Sequence, residues 1–190
     1  MDIKNLIFAG EIFDIEDYQI LKGFLDTSEI ILNQLIREIE DNGGVQTETL
    51  VYPLMFNFRH YVELAIKESY YRYMEIVKKT PVARTTLQRH HLDREELNTL
   101  KEWAKSESLE CDSDTASLII CKLNGLDSSG QTFKYSESNR GTKFRDNIQV
   151  INLSEVKNDM DKVSKFFNAI LHKLDGLSEN GIIPKGEIKP

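Results

Sequence analysis

Cysteine is nearly absent: Cys111 and Cys121 are the only two, and they do not form a Cys-x-x-Cys pair. A disulfide framework and a thiolate zinc site are therefore not expected. Long apolar runs are missing as well. The longest are short segments such as SLIICKL, far below the roughly 20 residues a helix needs to cross a bilayer. The opening MDIKNLIFAGEIFDIEDY lacks the basic region, long apolar stretch and cleavage site of a secretory leader. Cytoplasmic location, reduced thiols and no membrane contact are the expectation. Gly-rich phosphate loops, Gly-x-Ser-x-Gly elbows and Cys/His nucleophile pairs are also absent.

Positive charge is scarce where the chain starts. Residues 1–50 hold eleven acids against three bases, and the remaining residues are close to balance within a net charge of −7. The overall balance supplies no positive surface for non-specific grip on a nucleic-acid backbone. Lys78, Lys79, Arg84, Arg89 and Arg94 read as a solvated helix end and loop, the usual setting of such charges, or as a local basic groove.

What is present is helical periodicity. Leu21, Phe24, Leu25, Ile31, Leu32, Leu35, Ile36 and Ile39 recur at helical spacing, with Asp26-Thr27-Ser28 as a capping point that leaves one or two helices open. Residues 53–79 read as a single long helix with Pro53 in its first turn. A shorter helix follows from about Arg94 to Lys105, and another starts at Asp112 to Asp114 and ends in SLIICKLNGL. QTFKYSES and DNIQVINL read as two short strands, and the last helix starts near Ser154 and stops at Gly176. The expected fold is mainly α: a helical bundle with a small β-hairpin before its last helix. Residues 1–176 form a single domain: acidic N-terminal helices over 1–50, core helices over 51–110, and helix, hairpin and last helix over 111–176. Residues 177–190 form a tail.

One stretch, MFNFRHYVELAIK, places an arginine inside an apolar helix. On a wheel of about 100° per residue, Met55, Phe58, Val62, Ala65, Ile66, Ser69, Tyr73, Ile76 and Val77 share a stripe, and Arg59 falls within it. Glu63 lies at its edge and His60 outside it. An interior guanidinium stays charged and must be paired, and Glu63 is the nearest candidate. Arg59 is thus expected either to fix the helix register with Glu63 or to bind an anion such as phosphate in a polar cleft. His90 and His91 form a second constellation suited to acid–base work. With Asp93 and Glu95 they make only a loose ligand set without metal-motif spacing, so no metal and no cofactor is expected.

FNFRHYVELAIK, HHLDREELNTLKEW, LDSSGQTFKYSES and VINLSEVKNDM, in that order, resemble a group of bacterial HEPN-like proteins. That group carries a Phe-Arg-His-x-x-Glu-Leu-x-x-Lys helix, a His-x-Leu helix start and an Asp-x-x-x-x-x-Phe-Arg-Tyr turn. The resemblance spans about residues 50–175. It implies an all-helical bundle, often homodimeric, in defence, toxin–antitoxin or phage-conflict systems. Active members are metal-independent ribonucleases with an Arg-x4–6-His motif at a dimer cleft. Arg84 with His90 or His91 has that spacing, which would make these three the catalytic residues, with Arg59, His60 and Glu63 lining or ordering the cleft. RNA or a nucleotide is the implied ligand. The alternative is a non-catalytic dimeric module that binds a protein partner through its acidic N-terminal segment.

Overall fold

A computed structural model of the chain describes residues 17–43, 47–83, 90–92, 95–134 and 151–180. Five helices occur among them: α1 (Asp17–Asn42), α2 (Thr47–Ile76), α3 (Glu95–Ser106), α4 (Ser113–Leu126) and α5 (Leu153–Asn180). No strand is found among the described residues. Arg84, Arg89 and Arg94, most of the expected hairpin and the last part of the tail lie outside them.

Helix α2 is the axis of the bundle. It packs on α1, α3 and α5, while α4 fits between α3 and α5 and α1 reaches α5. Its stripe Leu54, Met55, Phe58, Tyr61, Val62, Ala65, Ile66 and Tyr73 is buried against Phe166, Phe167, Ile170 and Leu174 of α5 and Leu97, Leu100 and Trp103 of α3. Ring packing fixes the seams. Tyr61 meets Phe167 edge-on at 6.3 Å, and Tyr73 meets Trp103 at 5.2 Å. Burial of this apolar area is the main stabilising term of such a fold.

Of the two alternatives left open at Asp26-Thr27-Ser28, one helix is found: α1 runs unbroken there, the hydroxyls of Thr27 and Ser28 donating to the carbonyls of Gly23 and Phe24 one turn back. Three boundaries differ from expectation, each for a local reason. Helix α2 starts ahead of Pro53, at Thr47. A proline there costs one helical hydrogen bond, which the packing of Leu50, Val51 and Tyr52 on the core offsets. The same helix ends earlier than expected, at Ile76, where Lys79 takes a left-handed conformation (φ 55°) and the Thr80 amide donates to the Met74 carbonyl at 2.9 Å. Helix α5 passes through Gly176 to Asn180, so the expected domain end at 176 falls inside a helix. Glycine weakens a helix interior without forbidding it.

The described ends of the expected hairpin carry no strand. Residues 132–134 form a turn, because Asp127 Oδ1 accepts the amides of Gln131 (2.9 Å) and Thr132 (3.1 Å) and curls the chain back. At the other end Leu153 already begins α5, whose first amides at Ser154 and Glu155 are capped by the Asn152 side chain.

Candidate functional site

Arg59 is 3% exposed and Glu63 4% exposed, so both charges are inside the protein. Spacing of four along α2 brings Arg59 Nη1 to 3.0 Å from Glu63 Oε2. The remaining donors reach far along the chain. Nε donates to the carbonyl of Asp127 at 2.8 Å, and Nη2 donates to the carbonyl of His90. One guanidinium therefore ties α2 to both the 90–92 segment and the turn after α4. A planar fork can serve three acceptors spread around its plane, whereas the three donors of an ammonium all sit on one atom.

Asp127 meets this arginine twice. Beyond its carbonyl, its carboxylate Oδ2 lies 3.4 Å from Nε, an ion-pair distance without a hydrogen bond, since the Nε proton is directed at the carbonyl. Gly130 makes the turn possible. Its φ is +72°, and a Cβ there would stand 3.0 Å from Arg59 Nη1. The other segment is held as firmly. Leu92 is fully buried and its amide donates to Asn124 Oδ1 at 3.0 Å.

Glu63 collects three partners. Oε2 takes Arg59, while Oε1 takes Lys67 Nζ at 2.7 Å and His90 Nδ1 at 3.0 Å. Burial alone would push this carboxyl up. The Lys67 hydrogen bond and charge, the Arg59 hydrogen bond and the charge of His90 outweigh it and hold the pKa down to about 2. An ionised carboxylate only accepts, so the Nδ1 of His90 that faces it carries a proton, and in the neutral ring Nε2 is the acceptor. The His90 side chain is 62% exposed. A buried acid thus orients an exposed imidazole.

His60 stands beside this cluster, half-buried, with Phe24 edge-on at 4.5 Å and Phe56 nearly parallel at 5.7 Å. Burial first, and then the nearby Lys134, Arg59 and Lys67 charges, lower its pKa against the opposing pull of Glu63. His91 is exposed. The structure brings together Arg59, His60, Glu63 and His90; Arg84 lies outside the described residues. Arg59, offered by the sequence as an anion clamp or a register pin, is occupied by Glu63 and two carbonyls and orders the site.

Sequence reasoning did not assign Asp127, Gly130, Asn124 or Lys67 to the site. Asp127 and Lys67 do fall on the motifs quoted above, as the first residue of the Asp-x-x-x-x-x-Phe turn and the last of the Phe-Arg-His-x-x-Glu-Leu-x-x-Lys helix, and Lys67 is also the third member of an Arg59–Glu63–Lys67 ladder at steps of four. Among the described residues no group of three or more His, Cys, Asp or Glu side chains is placed to hold a metal ion. No helix among them is long and apolar enough to cross a membrane.

Fold and site together define a mainly helical bundle, with no strand among the described residues, built round a buried arginine–carboxylate cluster that presents a histidine at its surface. Compared with protein-family models, curated proteins and solved structures, the chain finds no match.

Proposed function

We propose that the chain is a HEPN-like protein that cuts RNA without a metal ion, with His90 as its general base. The observation that carries the reading is the Glu63–His90 pair: a buried carboxylate at 3.0 Å from Nδ1 of a mostly exposed ring. His90 Nε2 takes the proton of a ribose 2′-hydroxyl. The 2′-oxygen attacks the adjoining phosphorus, the P–O5′ bond breaks, and the products are a 2′,3′-cyclic phosphate and a 5′-hydroxyl that receives a proton. Glu63 holds the base in the right tautomer and stabilises the imidazolium that forms. Arg84 is the residue the resemblance assigns to the phosphate, and a second copy of the chain would complete the cleft.

The competing reading, a protein-binding module, would gain from an apolar patch on the N-terminal segment. On the described part of α1, Ile20, Ile30 and Ile39 are exposed, but their spacing sends them in different directions around the helix, as singly exposed residues commonly are.

The test is cleavage of a tRNA mixture in EDTA by the parent and by the Arg84→Ala, His90→Ala, His91→Ala triple variant. Cutting by the parent alone is expected. Equal cutting by both, or by neither, removes the ribonuclease reading.

A further inference from the structure

We propose that the cavity between α2, α4 and α5 binds a free amino acid with an apolar side chain, its ammonium held by Glu155 and Asp159 and its carboxylate by Lys122. The cavity measures about 170 Å³ and is floored by the buried side chains of Met55, Phe58, Ile119 and Leu123. An apolar cavity of about 150 Å³ admits a benzene ring, so this floor takes one ring or one branched alkyl group. Its two walls carry the charge. On α4, Ile119, Lys122, Leu123 and Leu126 recur at steps of three, one and three and share a face. On α5, Glu155 and Asp159 stand one turn apart, with Val156 between them. Lys122 therefore belongs to one wall and the two carboxylates to the other.

None of the three charges is paired within the described protein. The side chains of Lys122, Glu155 and Asp159 make no hydrogen bond or ion pair among the described residues, although Asp159 is partly buried. Asn152, the remaining polar side chain of the lining, is engaged in capping α5. Burial first, and then the Glu155 charge, push the Asp159 carboxyl up against the pull of Lys122 and Lys162. A cation at this wall offsets both. The ligand's chemistry follows by elimination. A bare hydrocarbon fills the floor and leaves three charges unanswered. A fatty acid brings the wrong sign to two of them, and an alkylamine leaves Lys122 without a partner. A zwitterionic amino acid answers all three while its side chain enters the apolar space. Apolar lining with a few convergent polar groups is what small-molecule sites show. None of the residues that hold His90 lines this cavity, so binding here and RNA cleavage there are tested separately.

The experiment is isothermal titration calorimetry of the full chain with L-leucine and L-phenylalanine. Isoamylamine and isocaproate, leucine without its carboxylate and without its ammonium, are titrated alongside. One or both amino acids should bind at millimolar concentration or below, about tenfold tighter than either truncated form, since each charge-assisted hydrogen bond contributes about that factor. Glycine, with no side chain to bury, should not bind. Lys122→Ala should weaken the amino acid about tenfold and leave isoamylamine unchanged, whereas Asp159→Asn should weaken both. Lys122 is exposed and Asp159 partly so, and neither substitution empties the core. Failure of both amino acids to bind the parent overturns the site. Binding that neither variant alters overturns its location. Isoamylamine binding as tightly as leucine, in the parent and in Lys122→Ala alike, overturns the amino acid as the occupant.

Discussion

The Glu63 carboxylate lies 3.0 Å from Nδ1 of His90, a residue 27 positions later in the chain. The same carboxylate is held by Arg59 from the interior and by Lys67 from the surface side. An exposed ring is thereby governed by a charge that water does not reach. Orientation, rather than burial of the histidine itself, is what this pairing supplies.

Glu63→Gln retains the shape and removes the charge. Its amide must turn either its NH2 or its oxygen toward donors on both sides, so one donor is left unmatched. On the ribonuclease reading proposed above, RNA cleavage should fall on the order of 10²-fold, and the pH dependence of the residual activity should move. A pH profile that superimposes on the parent's would remove Glu63 from the reaction.

Arg59→Ala should be the most damaging single change among the polar residues. It leaves Glu63 and Asp127 short of a partner and two carbonyls without their donor, for a loss of about 3–5 kcal/mol in urea unfolding. Arg59→Lys should recover only part, because a point charge cannot reach acceptors spread across Glu63, His90 and Asp127. Equal midpoints for Lys and Arg would show that the fork geometry is unimportant.

Gly130→Ala meets both a left-handed backbone, φ +72°, and the Arg59 guanidinium, and should cost about 1–3 kcal/mol. Gly23→Ala, in the interior of α1 with nothing within 4 Å of its new Cβ, should instead add about 0.5–1 kcal/mol. Thermal melts of the two variants should therefore move in opposite directions from the parent.

Acid should unfold the protein in two stages. His60 has a folded pKa below its ordinary 6.5, chiefly through burial, so the unfolded chain takes up that proton first and stability begins to fall below pH 6.5. Glu63 ionises with a pKa of about 2 against an ordinary 4.5. Its contribution is complete above pH 4.5 and is lost as the pH falls toward 2, on the order of a few kcal/mol. Urea midpoints followed from pH 7.5 downward check this. His60→Phe should flatten the first stage and leave the second; a parent-like first stage would exclude His60 as its source.

The helices were legible because their apolar residues repeat at the right period, and the Arg59–Glu63 contact because it is a neighbour relation within one helix. The other half of the cluster was not. Arg59 finds its remaining acceptors 31 and 68 residues away, and both are backbone carbonyls, which no side-chain pattern advertises. Boundaries failed where a weak local preference met strong packing, as at Pro53 and Gly176. At 131–134 composition and the quoted motif disagree: Thr and Phe favour a strand, the Asp-x-x-x-x-x-Phe pattern a turn, and the turn forms because Asp127 accepts the Gln131 and Thr132 amides.

A single arginine bridging two distant segments also couples their motions. If the turn at 127–130 lifts away, Arg59 loses the partner that fixes its plane, and its hold on the His90 carbonyl weakens with it. The Leu92 amide, protected by Asn124, and the Gln131 and Thr132 amides, both protected by Asp127, would then exchange with solvent as one cooperative unit rather than as two independent loops.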